Sequence, residues 1–358
     1  MSNFTPDLKH KKMKYTRNQI NRAGEALIGD PFERQRASDI VTDWRQLHLP
    51  VLRELNEELT AFFKERGIPV EFSSHRIKRM QSIIEKLRNH EKDSMKLGGL
   101  QDIGGVRFVF ADTHTLDMAN EALKSFKPKN FEHLKCNNYV ESPQTDGYRS
   151  IHHVYKYISD ESDYNGLRIE LQIRTKLQHC WAMAVETAGL ITRTSLKVAI
   201  DDGNEWRKFF RLVSAVFSKK EDRPVLNEYA NHSDESLCSE YFSYSEEHKL
   251  VYQLRALRVA VDYEQHKKTG DCYCVLIIDF NRKRVKFRYY DTEESAEASE
   301  KFTEVEGSIN SDEAALMVSM KKIEELQKAY PSYFLDTGKF IEVLEEFEKQ
   351  CDLKYPRG

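Results

Sequence analysis

The sequence predicts an α+β protein: a mixed β-sheet with flanking helices, followed by a smaller C-terminal α/β unit. Three observations carry this. Residues 34–67 place Ile40, Trp44, Leu47, Val51, Leu55, Leu59 and Phe62 at three-to-four spacing, the period of a one-sided helix. The run from Val106 to Ala111 (VRFVFA) is short, apolar and rich in strand formers, as a buried strand is. After residue 190 the texture changes, and a polar stretch leads into a second alternation of strands and helices.

Taken in order, Pro50 should kink or split the first helix, and Gly67-Ile68-Pro69 should stop it, since proline removes a donor and glycine admits the turn. A short strand near 69–73 and a helix over 76–90 follow, with Ile77, Ile84 and Leu87 on its apolar side. Asp102-Ile103-Gly104-Gly105 leads into the buried strand. A helix is expected over 114–126, strands over 149–158 and 166–174, and a helix over 175–190. Such alternation builds a mixed sheet with helices on it. Residues 204–218 read as an amphipathic helix, 219–235 as a polar linker and 245–267 as a further helix. Strands at 271–279 and 284–290 should be joined by a turn at Asn281-Arg282-Lys283. An acidic helix, a strand near 314–319 and a last helix from 337, capped by Asp336, complete the chain. At 358 residues this is two domains or one large domain with an extension. The expected division is 1–225 and 226–358.

The hydrophobic fraction of 40% suffices for a core. No apolar run is long enough to span a bilayer and no signal-peptide pattern opens the chain, so the expectation is a cytoplasmic protein with no membrane partner. The six cysteines are scattered, and Cys272 and Cys274 are too close for a zinc knuckle. They read as free thiols without structural zinc. Net charge is −3 but uneven. Lys9, Lys11, Lys12, Lys14 and Arg17 form a basic N-terminal run, either a solvated terminus or a phosphate-binding patch.

Neither a Gly-x4-Gly-Lys loop nor a Gly-x-Gly-x-x-Gly turn occurs, so a nucleotide site must be built from side chains. In RIKRMQSIIEKL, Lys78, Ser82 and Lys86 would share one helix face, suited to polyphosphate or simply solvated. Asp102 precedes a strand and Arg107 lies on it. In RIELQIRT, Glu170, Gln172 and Arg174 alternate with Leu171 and Ile173, so three polar groups share one sheet face. Asp102 and Glu170 could jointly hold Mg²⁺, which favours carboxylates together with phosphate oxygens. In DGYRSIH, an Asp146-Gly147 turn presents Tyr148, Arg149 and His152, either as a tight turn into a strand or as a platform for a base.

In this order the pieces resemble the synthetase domain of the RelA/SpoT family. The matching motifs are Arg76-Ile77-Lys78 with Ser82-Ile83 and Lys86; Asp102-Ile103-Gly104-Gly105-Val106-Arg107; Gly147-Tyr148-Arg149-Ser150-Ile151-His152; and Glu170-Leu171-Gln172-Ile173-Arg174-Thr175. The resemblance covers roughly residues 35–190 and implies a nucleotidyltransferase-like fold. It also implies a pyrophosphokinase that moves the β,γ-pyrophosphate of ATP to a ribose 3′-hydroxyl with Mg²⁺, releasing AMP. By the resemblance, Arg76 and Arg107 sandwich adenine, and Lys78, Ser82 and Lys86 hold phosphates. Asp102 and Glu170 bind Mg²⁺, and Glu170 is the candidate base. Tyr148 stacks on the acceptor's base with Arg149, His152, Gln172 and Arg174 around it.

Members that make (p)ppGpp from GDP or GTP usually carry KDYI-x-x-PK before Gly-Tyr, whereas this chain has NNYVESPQ, with Asn137, Asn138 and Gln144. The missing lysines favour an acceptor without a 5′ polyphosphate, the tRNA 3′-CCA end, as in the toxic small synthetases. GDP or GTP in a stringent response is the alternative, and an inactive RNA-binding module the second. Glu186-Thr187 stands where Glu-His is frequent in the family, one residue later. Length, domain order and Tyr330-x-x-Tyr333 resemble the fused toxin–antitoxin members called CapRel. The resemblance implies a C-terminal antitoxin-like unit whose tyrosines plug the adenine site, released by a phage trigger protein in antiviral defence.

Overall fold

The computed structural model describes residues 14–29, 31–89, 95–159, 163–192, 205–251, 254, 272–279, 284–291, 294–308, 313–320 and 338–355. The chain begins with three helices, α1 (Arg17–Ile28), α2 (Pro31–Gln46) and α3 (His48–Glu65). Thr16 caps α1 in a capping box with Gln19. The expected long helix is divided at Leu47, and Pro50 sits in the first turn of α3, where its missing N–H costs nothing. Gly67, at φ +65°, ends the helix.

Strand β1 (Phe72–Ile77) then leads to α4 (Met80–Asn89), β2 (Gly104–Phe110), α5 (Thr113–Leu123), β3 (Phe131–Asn138), β4 (Ile151–Tyr157), β5 (Arg168–Thr175) and α6 (Lys176–Thr192). Here the sequence expectation is corrected. The strand begins and ends later than 69–73, and the helix starts at Met80 rather than 76. The cause is tertiary: β1 pairs with β2 from Phe72↔Val109 to Ile77↔Gly104, and Lys78 N–H extends the ladder to Ile103 O at 2.8 Å. Cross-strand pairing overrides a helical apolar period. Strand β3 was not foreseen. It is an edge strand, exposed from Glu132 to Cys136, and a bulge between His133 and Lys135 breaks its alternation.

Next come α7 (Glu205–Lys220), α8 (Asp234–Glu247), β6 (Cys272–Asp279), β7 (Arg284–Asp291), α9 (Ser295–Ser308), β8 (Glu313–Met320) and α10 (Gly338–Lys354). Helix α8 replaces the end of the expected polar linker. Its buried positions Leu237, Cys238, Tyr241 and Ser245 keep helical spacing, but two of the four are small and polar enough to hide the stripe. Most of the helix expected over 245–267, the turn at 281–283, Asp336, Tyr330, Tyr333, Lys9, Lys11 and Lys12 lie outside the described residues.

The described strands form one eight-stranded mixed sheet, in the order β3-β4-β5-β2-β1-β8-β6-β7. Only β2 and β5 run parallel; the other neighbours are antiparallel. The C-terminal strands join through β8, which pairs with β1 at Arg76↔Val318. Three cores follow from this layout. Phe63 packs edge-on against Phe108 and Phe110 beneath the sheet. Trp181, Phe210, Phe217, Tyr241, Phe340 and Leu344 bury α6, α7, α8 and α10 together. Tyr273, Val275, Phe302 and Met317 bury α9 on the C-terminal strands.

The free-thiol expectation is corrected in one pair. Cys238 of α8 and Cys351 of α10 form a disulfide across a separation of 113 residues. No sequence spacing announces such a bond, because helix packing brings the two thiols together. Cys136 and Cys180 form no disulfide. Closing so long a loop removes entropy from the unfolded chain, typically worth about 2–4 kcal/mol. Reduction with dithiothreitol, or Cys351→Ser, should lower the melting temperature accordingly; superimposable melts with and without reductant would contradict this.

Candidate active site

Register puts the polar residues of four strands on one face. Directly opposed residues point the same way, and so do residues two apart. One row reads Arg76↔Gly105↔Glu170, and the next reads Ser74↔Arg107↔Gln172↔His152. Arg76 and Arg107 are therefore diagonal neighbours on the same side of the sheet. Helix α6 borders this face, and its Glu186 Oε1 lies 3.7 Å from both Arg76 Nη1 and Arg79 Nη2. Arg76 thus projects from a strand, and Lys78 sits in the turn after it, not on a helix with Ser82 and Lys86. The spatial grouping of the two lysines nonetheless holds, because α4 folds back over Asp102.

Asp102 Oδ2 accepts from Lys78 Nζ at 3.0 Å and from Lys86 Nζ at 2.8 Å. Burial alone would raise its pKa, but the two ammonium groups outweigh it and hold the carboxyl at about 2. Its other oxygen, Oδ1, is buried with no hydrogen-bond partner among the described residues. Ser82, half-buried on α4, is on neither pair. Arg45, buried on α2, donates from Nε to Lys78 O at 2.9 Å and so fixes the turn that carries the lysine. Nothing in the sequence pattern sets Arg45 apart from a surface arginine.

Glu170 sits across from this pair. Its Oε1 is 3.1 Å from His152 Nδ1, and its Oε2 accepts from Gln172 Nε2 at 2.7 Å. Burial works to raise its pKa and Asp102 adds to that, but His152 prevails and the group is lowered. Asp102 lies two residues before β2, whose Gly105 pairs with Glu170, so the backbone brings the two carboxylates to the same end of neighbouring strands. Among the described residues no cluster of three or more His, Cys, Asp or Glu is arranged for a metal. A divalent ion would have these two carboxylates and substrate oxygens, and the unpartnered Asp102 Oδ1 fits that role.

The DGYRSIH turn is built by its first two residues. Asp146 Oδ1 accepts from Tyr148 N at 2.8 Å, and Gly147 takes φ +91°. The turn delivers the Tyr148 hydroxyl to 2.9 Å from His152 Nε2, with the Arg174 guanidinium 5.9 Å from the ring centroid. Burial opposes ionisation of Tyr148, but Arg174 and His152 overcome it and lower the phenol to about 7. His152 is raised to about 9, because Tyr148 and Glu170 outweigh the burial that would lower it. Arg174 is buried and donates from Nη2 to Gln172 Oε1 at 2.7 Å.

Arg149 is not brought to this group. It is 2% exposed and pairs with Glu221 Oε2 at 2.9 Å, turned into the protein rather than toward an acceptor. Of the basic N-terminal run, Lys14 pairs with Asp43 at 3.3 Å. Arg17 donates to Gly98 O at 2.6 Å, tying α1 to the 97–99 turn. A residue at 147 with a Cβ would meet Ser214 Cβ at 2.8 Å and Trp181 Cζ2 at 3.3 Å, in a left-handed conformation. Gly147→Ala should therefore cost about 1–3 kcal/mol, read as a lowered denaturation midpoint; an unchanged midpoint would contradict the turn geometry.

Residues 75–190 match the family model described as a region found in RelA/SpoT proteins. Over these residues the chain is similar to RelA/SpoT proteins. GTP pyrophosphokinase YjbM of Bacillus subtilis (strain 168) is 31% identical over 121 residues, 34% of this chain and 56% of that protein. GTP pyrophosphokinase YwaC of the same organism is 27% identical over 120 residues, 32% of this chain and 55% of that one. The chain thus spans little more than half the length of these relatives. Among solved structures, small alarmone synthetase 1 of Bacillus subtilis bound to its product pppGpp is 22% identical, covering 50% of this chain and 93% of that one at a TM-score of 0.40. The matched residues include Arg76, Lys78, Lys86, Asp102, Arg107, Tyr148, His152, Glu170, Gln172 and Arg174. No described helix is long and apolar enough to cross a membrane.

Proposed function

We propose that this chain is a pyrophosphokinase that transfers the β,γ-pyrophosphate of ATP to a ribose 3′-hydroxyl. The observation that carries the reading is the convergence of Asp102 and Glu170 beside Lys78, Lys86, Arg76 and Arg107 on one face. Diagonal neighbours on a sheet are about 7–8 Å apart, and two van der Waals spacings of about 3.5 Å fit one flat base between Arg76 and Arg107. Lys78 and Lys86 exchange Asp102 for the triphosphate when ATP enters. Asp102 Oδ1 and Glu170 would hold Mg²⁺, which when bound neutralises charge on the phosphate oxygens. Glu170 takes the proton of the 3′-hydroxyl as its oxygen bonds to the β-phosphorus. The bond from that phosphorus to the α,β-bridging oxygen breaks, and AMP leaves with the electron pair. Most of the work is positioning and charge neutralisation.

For the acceptor, Tyr148 is the stacking platform, with His152, Gln172 and Arg174 behind it. The relatives are named GTP pyrophosphokinases, which favours GDP or GTP. The absence of lysines at Asn137, Asn138 and Gln144 favours the tRNA 3′ end. Labelled ATP incubated with GDP, GTP or deacylated tRNA separates them: label in a guanine nucleotide assigns alarmone synthesis, and label in tRNA assigns the toxin. Label in neither, from the full chain and from a Tyr330→Ala, Tyr333→Ala variant that cannot plug the adenine site, overturns the pyrophosphokinase reading. Residues 226–358 are proposed as a regulatory unit on a cytoplasmic enzyme. Support for regulation in cis is the pairing of β8 with β1 at Arg76↔Val318, which sets the C-terminal strands beside the donor strand. Defence against phage is then the setting in which a trigger protein would release the enzyme.

A further inference from the structure

We infer that helix α7 and the turn that ends it, outside the matched RelA/SpoT region, build the acceptor site from behind, with Ser214 and Glu221 as positioning residues for the loop that carries Tyr148. The inference rests on the pyrophosphokinase reading and extends it. Ser214 Oγ donates to Gly147 O at 2.6 Å, and both partners are buried. Because Gly147 carries no Cβ, the Ser214 side chain packs directly against the turn, where a Cβ would meet Ser214 Cβ at 2.8 Å. One residue pair further, Glu221 accepts from Arg149 Nη1 at 2.9 Å, from Gln178 Nε2 at 3.0 Å and from Thr175 Oγ1. Arg149 belongs to the acceptor turn, Thr175 ends β5 and Gln178 opens α6. One buried carboxylate therefore joins the loop bearing Tyr148 to the strand bearing Glu170, Gln172 and Arg174. Just beyond, Arg223 Nη1 donates to Glu141 Oε1 at 2.8 Å at the far side of the same loop.

None of these α7 groups reaches the polar face. What they set is where Tyr148 stands relative to Glu170. Tyr148 is hydrogen-bonded toward Glu170 through His152, by contacts of 2.9 and 3.1 Å, so slack in the loop displaces the platform directly. The donor residues Lys78, Lys86 and Asp102 make no contact with α7 among the bonds described. Loss of the clamp should accordingly weaken acceptor binding and spare ATP. A misplacement of about 1 Å suffices for a large loss in a reaction that depends on alignment.

The test compares Ser214→Ala and Glu221→Gln with the unaltered full chain. Amide hydrogen exchange is followed over residues 144–150 and over 76–86. Steady-state kinetics use ATP with whichever of GDP or deacylated tRNA the unaltered protein labels. Faster exchange over 144–150 alone is expected, with a KM for the acceptor raised about tenfold or more and a KM for ATP within twofold. Unchanged exchange over 144–150 in both variants overturns the clamp, as does an equal rise in both KM values. Ser214→Ala removes no charge, so it keeps the test decisive if Glu221→Gln unfolds. If neither the unaltered protein nor the Tyr330→Ala, Tyr333→Ala variant labels an acceptor, the proposed reaction is overturned, while exchange still decides whether α7 fixes the loop.

Discussion

Asp102→Asn should lower pyrophosphate transfer by about 10³-fold, the several kcal/mol that a bound divalent ion contributes to a phosphoryl-type transition state, and leave the fold intact. An amide at 102 keeps the shape and still offers an oxygen, but it cannot neutralise Lys78 and Lys86 or share a divalent ion with Glu170. The fold should survive because those lysines, at 24% and 31% exposure, can turn to water. The same carboxylate sets an acid dependence. Its folded pKa of about 2 lies below the 3.8 of a free aspartate, so its ionised form stabilises the protein above about pH 4. That contribution disappears as pH falls from there through about 2. Asp102→Asn should remove this part of the acid transition. Transfer measured with saturating ATP and magnesium, beside a thermal melt, checks the first claim. An Asn variant as active as the unaltered protein would remove Asp102 from the chemistry.

What the sequence made legible was local in two senses. Strands β2 and β4 read as near-continuous runs because both sides of them are buried, and β5 alternates because only one side is, so its polar residues at every second position already put Glu170, Gln172 and Arg174 on one face. Helices α3, α6 and α7 declare themselves by apolar spacing. Less legible were elements whose form depends on a distant neighbour. Arg76 looked helical because Ile77, Ile84 and Leu87 have a helix-compatible period, yet pairing with Gly105 decides its place. Strand β3 is exposed on both faces and has no pattern to read. Helix α8 hides its buried stripe behind cysteine and serine. The disulfide and Arg45 answer to helix packing, which has no signature along the chain. Arg149 is the instructive site residue: it stands inside a motif of acceptor groups, but strand alternation turns it away from Tyr148 and His152, toward a carboxylate 72 positions later.

That buried pair leads to the largest expected effect on stability. Arg149→Ala should cost about 3–5 kcal/mol, because it leaves the Glu221 carboxylate buried without its counter-charge. Arg149 and Glu221 are 2% and 8% exposed, so water cannot take the place of the guanidinium. Burial lowers the Arg149 pKa, with Glu221 opposing it, which is the sign of a charge kept in the interior by its partner. The pair's net contribution is a separate quantity. Replacing both ends by apolar residues of similar volume, Arg149→Met with Glu221→Leu, removes the desolvation of both charges along with their attraction. It should recover most of the loss, although Thr175 and Gln178 then lose an acceptor. A double-mutant cycle on denaturation midpoints measures this. If the double variant is stable yet its acceptor KM stays high while its ATP KM is unchanged, the pair's contribution is to geometry rather than to stability. If Arg149→Ala melts with the unaltered protein, the carboxylate has found another partner and the ion pair does not organise this part of the fold.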